Sequence, residues 1–182
     1  MKLLIFTEGT IIMHGLAKNV NREERVRQSK EAGIQREEIN IAFETNTLPP
    51  KASPGTPYDL DNYIPIGNAT EKITKWKNQG AEIIYLTSRR LQSEVETIKR
   101  ILEKYHFPDY QNLYFRRKGE NYKDVAELLF PNMIIEDDCE SIGGEKEMTY
   151  PRIKEELKKR IKSIVVKEFE GVDNLQDKIT LL

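Results

Sequence analysis

The sequence predicts an α/β fold: a doubly wound, mostly parallel sheet with a small insertion after its first strand. Three observations predict it. Short apolar runs recur along the chain, helix-length segments separate them, and the runs are continuously apolar rather than alternating. Strands alternating with helices of this length imply parallel pairing, and continuous apolar character implies burial on both faces.

The first run, residues 2–6 (KLLIF), stops at Thr7, Glu8, Gly9 and Thr10 and reads as a buried strand entering a turn. Residues 16–69 interrupt the alternation. Within them 21–33 and 36–43 read as helical, and five of the eight prolines fall between 49 and 65, so 49–57 reads as a loop. An insertion of this length reads as a lid or a linker, leaving residues 1–15 and 70–182 as the core. Further strands are expected over 83–86, 113–115, 133–135 and 164–166, and helices over 70–79, 90–105, 122–130 and 151–162. Gly80 and Pro108 stand where the first two of these helices should stop.

The 182 residues suffice for one domain with a modest insertion. Lys and Arg number 29 against 30 Asp and Glu, a net charge of −1 that argues against a generic nucleic-acid or membrane-surface binder. The basic surplus over 152–167 reads as a solvated helix face. A single cysteine, Cys139, excludes an internal disulfide and a cysteine-based zinc site, and a cytoplasmic location is expected from it. No apolar run approaches the roughly 20 residues that span a bilayer. The opening MKLLIF is too short for a signal peptide.

In open α/β sheets ligands bind beyond the carboxyl ends of the strands. The residues there are Thr7, Glu8 and Thr10; Thr87, Ser88 and Arg89, followed by Arg90; Arg116, Arg117 and Lys118; and Glu136, Asp137 and Asp138. Acids suit a hard cation such as Mg²⁺, while hydroxyls and cations suit phosphoryl oxygens.

These residues resemble the motifs of the haloacid dehalogenase-like (HAD) hydrolases, most of which are phosphatases. That family's first motif is an apolar strand ending in Asp-x-Asp-Gly-Thr, and IFTEGT stands in its place. Its second, a strand ending in Ser or Thr, resembles EIIYLTSR with Thr87. Its third, a lysine near a helix start, is met by Lys118 or Lys123. Its fourth, a strand ending in paired acids, resembles MIIEDD with Asp137 and Asp138. The resemblance implies a Rossmannoid three-layer sandwich with a cap-like insertion at 16–69. It also implies Mg²⁺ at Asp137 and Asp138, and a phosphorylated ligand near Thr10, Thr87, Ser88, Arg89 and one of the lysines.

One departure matters more than the matches. Aligning Gly9 and Thr10 with the family's Gly-Thr puts Phe6 at the nucleophilic aspartate and Glu8 at the general acid/base. Deleting one residue instead puts Thr7 at the nucleophile. Neither register supplies an aspartate, and a route through an aspartyl-phosphate needs a carboxylate nucleophile. The leading expectation is a catalytically degenerate protein whose crevice binds a phosphorylated ligand or a protein partner. A metal-dependent phosphohydrolase using Glu8 as base with Asp137 is the alternative. The third is an RNA-associated protein with a basic rim of Arg89, Arg90, Arg116, Arg117 and Lys118. His14 reads as structural, Trp76 and Tyr85 as core, and Cys139 as a small inert residue whose acid neighbours raise its pKa.

Overall fold

The structure, a computed structural model, describes residues 1–32, 59–117 and 119–182. The expected helix over 36–43, the proline-rich loop over 49–57 and Lys118 lie outside the described residues. In chain order the elements are β1 (Lys2–Phe6), β2 (Ile12–His14), α1 (Arg22–Ala32), β3 (Tyr63–Pro65), α2 (Ala69–Asn78), β4 (Glu82–Leu86) and α3 (Gln92–Lys104). Then come β5 (Leu113–Tyr114), α4 (Tyr122–Leu129), β6 (Met133–Asp137), α5 (Glu155–Lys158) and β7 (Lys162–Val166).

The main sheet has five parallel strands in the order β5-β4-β1-β6-β7. Successive side chains of a strand point to opposite faces, so an unbroken apolar run feeds two cores at once. Leu3 and Ile5 of β1, Ile83 and Tyr85 of β4 and Met133 and Ile135 of β6 pack with Ile73 and Trp76 of α2 and Ile98 and Leu102 of α3. Leu4, Ile84, Leu86 and Ile134 pack on the other side with Val125 and Ala126 of α4. The result is a three-layer α/β sandwich. Because β1 is central, its carboxyl end lies between those of β4 and β6, where the strand order reverses.

Trp76 and Tyr85 are fully buried, and the Trp76 indole N–H donates to the Gln176 carbonyl at 2.9 Å. A second, two-stranded sheet pairs β2 with β3 antiparallel, tying residue 14 to residue 63. The sequence offers no sign of it, since three residues are too few to show a period. His14 is structural: its Nε2 lies 3.0 Å from Asp59 Oδ2, and its Nδ1 accepts from the Leu16 N–H.

Two expectations about helices are corrected. The expected helix over 151–162 shrinks to the four residues of α5. Glu136 takes the backbone N–H groups of Thr149 and Tyr150 at 2.7 and 2.9 Å, which folds the chain into a tight turn at Pro151. Ile153 and Ile161 are then buried, and Lys162 already belongs to β7. Arg89 and Arg90 precede α3 instead of opening it, because Leu91 is extended and the helix begins at Gln92. No helix among the described residues is long and apolar enough to cross a membrane.

Truncating Leu4 on the central strand opens a cavity in a closed layer. Leu4→Ala is expected to cost about 2–5 kcal/mol in urea unfolding. Leu128→Ala, at a side chain 80% exposed, should stay within about 0.5 kcal/mol. Similar losses at the two positions would contradict this layering.

Candidate functional site

The turn after β1 organises the crevice. The Thr7 carbonyl accepts from the N–H groups of Ile11 and Ile12 at 2.9 and 3.0 Å, and the Gly9 N–H donates to the Ile12 carbonyl at 3.0 Å. Gly9 has a φ of +78°, and a Cβ there would lie 3.0 Å from Asp137 Oδ2. Only glycine fits both demands. The turn therefore aims Glu8 toward β4 and Thr10 toward β6, and the two polar clusters form on either side of Gly9.

On the β4 side everything converges on the Glu8 carboxylate. Thr87 Oγ1 donates to its Oε1 at 2.6 Å, Thr7 Oγ1 to its Oε2 at 2.6 Å and the Ser88 backbone N–H to Oε2 at 3.0 Å. Arg89 Nε lies 3.5 Å from Oε1. Burial works against ionisation of this carboxyl, but the Arg89 charge and the hydrogen bonds from Ser88, Thr7 and Thr87 prevail and hold it below the ordinary glutamate value. Burial likewise disfavours the charged guanidinium, yet the nearby Glu8 carboxylate keeps Arg89 firmly protonated.

On the β6 side lies an acid cluster. Asp137 ends β6 and accepts from Thr10 Oγ1 at 2.7 Å and from the Cys139 N–H at 2.9 Å. Glu168, two residues beyond β7, accepts from the N–H and hydroxyl of Ser141 at 2.7 and 2.6 Å, and the Ser141 hydroxyl in turn accepts from Ser29 Oγ of α1 at 3.0 Å. Asp138 lies 3.5 Å from Arg22 and 3.4 Å from Lys167. Arg22 also donates to Glu140 at 2.6 Å and to the Glu168 carbonyl at 2.9 Å. Burial first, then the Glu136 and Asp138 charges, push Asp137 up to about 6 against its hydrogen bonds. Burial, with the Asp137 and Asp138 charges, pushes Glu168 up to about 7 although Ser141 opposes it.

The remaining expected site residues fall as follows. Phe6 does not face empty space: its ring meets Tyr122 edge-on at 5.5 Å, and the Arg116 guanidinium lies 4.0 Å over the same Tyr122 ring. Ser88 contributes through its backbone N–H. Lys123 sits 3.5 Å from Asp124 on its own helix α4. Arg116 is buried and Arg117 exposed. Cys139 is half-buried, and burial followed by the Asp137, Glu136 and Glu168 charges pushes its thiol up, leaving little thiolate.

Glu168 and Arg22 were missed. Glu168 stands two residues past the fifth apolar run, as Glu8 does past the first, so the strand-end rule finds it once applied to every run. Arg22 carries no local signal, because a helical arginine reads as solvated until the fold brings Asp138 to it.

One oxygen each from Asp137, Asp138 and Glu168 lies within 4.8 Å of the others. All three are hard donors and two are buried, so the set could hold a divalent cation of the Mg²⁺ or Ca²⁺ kind. Glu8 fits such a role poorly, since its oxygens already accept three hydrogen bonds and face Arg89.

Comparison with solved structures finds similarity to the class C acid phosphatase from Bacillus anthracis, solved with tungstate bound. The TM-score is 0.50 at 10% identity, covering 93% of this chain and 68% of that one. At that identity the likeness concerns the fold, which is a HAD-like α/β sandwich. Scans against protein families and against curated proteins gave no match.

Asp137 and Glu168 of the acid cluster are both shifted upward, so the folded protein retains protons that the unfolded chain has released above about pH 4–5. Their contribution to stability is greatest in acid and declines as pH rises through about 6 and 7. With divalent ions chelated, the thermal midpoint is expected to fall between about pH 5 and about pH 8, and Glu168→Gln to flatten that fall. An unchanged slope in the variant would contradict the assignment.

Proposed function

We propose that this chain is a catalytically degenerate HAD-like protein, with the fold of a phosphatase but not its chemistry, whose crevice binds a phosphorylated ligand or a protein partner. The observation that carries this reading is the engagement of Glu8. The acid at the general acid/base position is committed to Thr7, Thr87, Ser88 and Arg89, while the nucleophile position holds Phe6 packed on Tyr122. A carboxylate held below its ordinary pKa and already accepting three hydrogen bonds is a poor proton acceptor.

The acid cluster favours a second reading, a metal-dependent phosphohydrolase using Glu8 and Asp137. Against it, Glu8, the base this reading needs, belongs to the opposite cluster and is engaged by Thr7, Thr87 and Ser88. The RNA-binding reading loses ground as well, since Arg116 is buried over Tyr122 and Arg89 faces Glu8. The single cysteine accords with a cytoplasmic setting.

With Mg²⁺ present, p-nitrophenyl phosphate and small phosphoesters are expected to show no turnover above background. Phe6→Asp alone should remain inactive, because Glu8 still fills the donors around it. Mg²⁺-dependent turnover by the wild-type protein that disappears in Asp137→Ala would overturn the reading.

A further inference from the structure

The donors around Glu8 form a group with its own logic. Two hydroxyls (Thr7 and Thr87), one backbone N–H (Ser88) and one guanidinium (Arg89) point at a single small volume. Converging neutral and charged donors of this kind are what a tetrahedral oxyanion takes, and a carboxylate offers the same charge on two oxygens.

The two threonine donors are fixed independently of Glu8. The Thr7 N–H donates to the Leu86 carbonyl at 3.1 Å and the Thr87 N–H to the Tyr114 carbonyl at 3.0 Å, so both threonines are held by the sheet. Thr87 Oγ1 also accepts from the Arg89 N–H at 3.1 Å, which sets its rotamer and leaves its proton for an outside acceptor. Glu8, by contrast, reaches the donors on a flexible side chain from a turn. It keeps part of its surface exposed, and its neighbour Ser88 is exposed. The sheet holds the two threonines, and the group that occupies them is a side chain carried on a turn at the edge of the crevice.

Resting on the reading of this crevice as a binding site, we propose that Glu8 is an internal stand-in for an oxyanion. It holds shut a phosphoryl-binding site made by Thr7, Thr87, the Ser88 N–H and Arg89, and a phosphorylated ligand opens the site by displacing the carboxylate. The ligand then exchanges one anion for another beside Arg89, so the guanidinium has a counter-charge in both the closed and the ligand-bound state. A ligand that must first displace Glu8 binds with an affinity reduced by the fraction of time the site is open.

Removing the carboxylate removes that reduction. Inorganic phosphate is titrated into chelator-treated wild-type protein, Glu8→Ala and Glu8→Ala/Arg89→Gln, with binding read by calorimetry. Glu8→Ala is expected to bind at least about tenfold more tightly than wild type, and the double variant to lose the gain. Glu8→Gln keeps the size of the side chain and protects the test against a folding failure. It removes the charge and turns an amide N–H₂ toward the donors, so it should shift affinity in the same direction. Equal phosphate affinity in wild type and in both Glu8 variants would overturn the proposal, as would a gain that survives loss of Arg89. Failure of the broader functional reading looks different, because it appears as phosphate released from phosphoesters by the wild-type protein.

Discussion

The pairing of the Glu8 carboxylate with Arg89 and three hydrogen-bond donors is the interaction on which the crevice depends. A buried guanidinium without a counter-charge is strongly destabilising, and a buried carboxylate without donors is equally so. Each is tolerable here only because the other is present. Their meeting requires the turn after β1 to deliver Glu8 toward β4, and that turn requires Gly9 in a left-handed conformation hard against Asp137. A local backbone constraint thus decides which charges share the crevice.

The same turn separates the charges. Thr10, one residue past Gly9, goes to Asp137 and the acids beyond β6 and β7, where Arg22 and Ser29 of α1 are docked. The near-neutral total of 29 basic and 30 acidic residues conceals this segregation. An anion is held on the β4 side and an excess of acid on the β6 side. Each cluster already contains a charge of opposite sign from its own chain, Glu8 in one and Arg22 in the other. A crevice filled in this manner is suited to binding by exchange.

How far the sequence reveals this follows from which signals are local. All five strands of the main sheet are visible as apolar runs: burial on both faces keeps residues 3–5, 83–86 and 133–135 apolar, whereas β5 and β7 are partly exposed and show only as 113–114 and 164–166. The helices with apolar faces, α2 to α4, are visible to within two residues for the same reason. The short pair β2–β3 is not visible, and α5 is overestimated, because Glu136 reaches back from β6 to cap the turn at Thr149 and no pattern within 151–162 records it. At the site, Glu8, Thr10, Thr87, Ser88, Arg89 and Asp137 are legible from the strand-end rule alone. Their division into two clusters is not, since it depends on the direction in which a single glycine turns the chain.

The central claim is that Glu8 is held as an ionised carboxylate by the donors beyond β4. Carboxyl-labelled glutamate allows the Glu8 carbon to be followed by NMR through an acid titration, with Glu8→Gln identifying its resonance. The account predicts that this carbon titrates below the ordinary glutamate range, and that its midpoint rises toward that range when Arg89 is replaced by glutamine. A Glu8 midpoint at or above the ordinary value in the wild-type protein would contradict it.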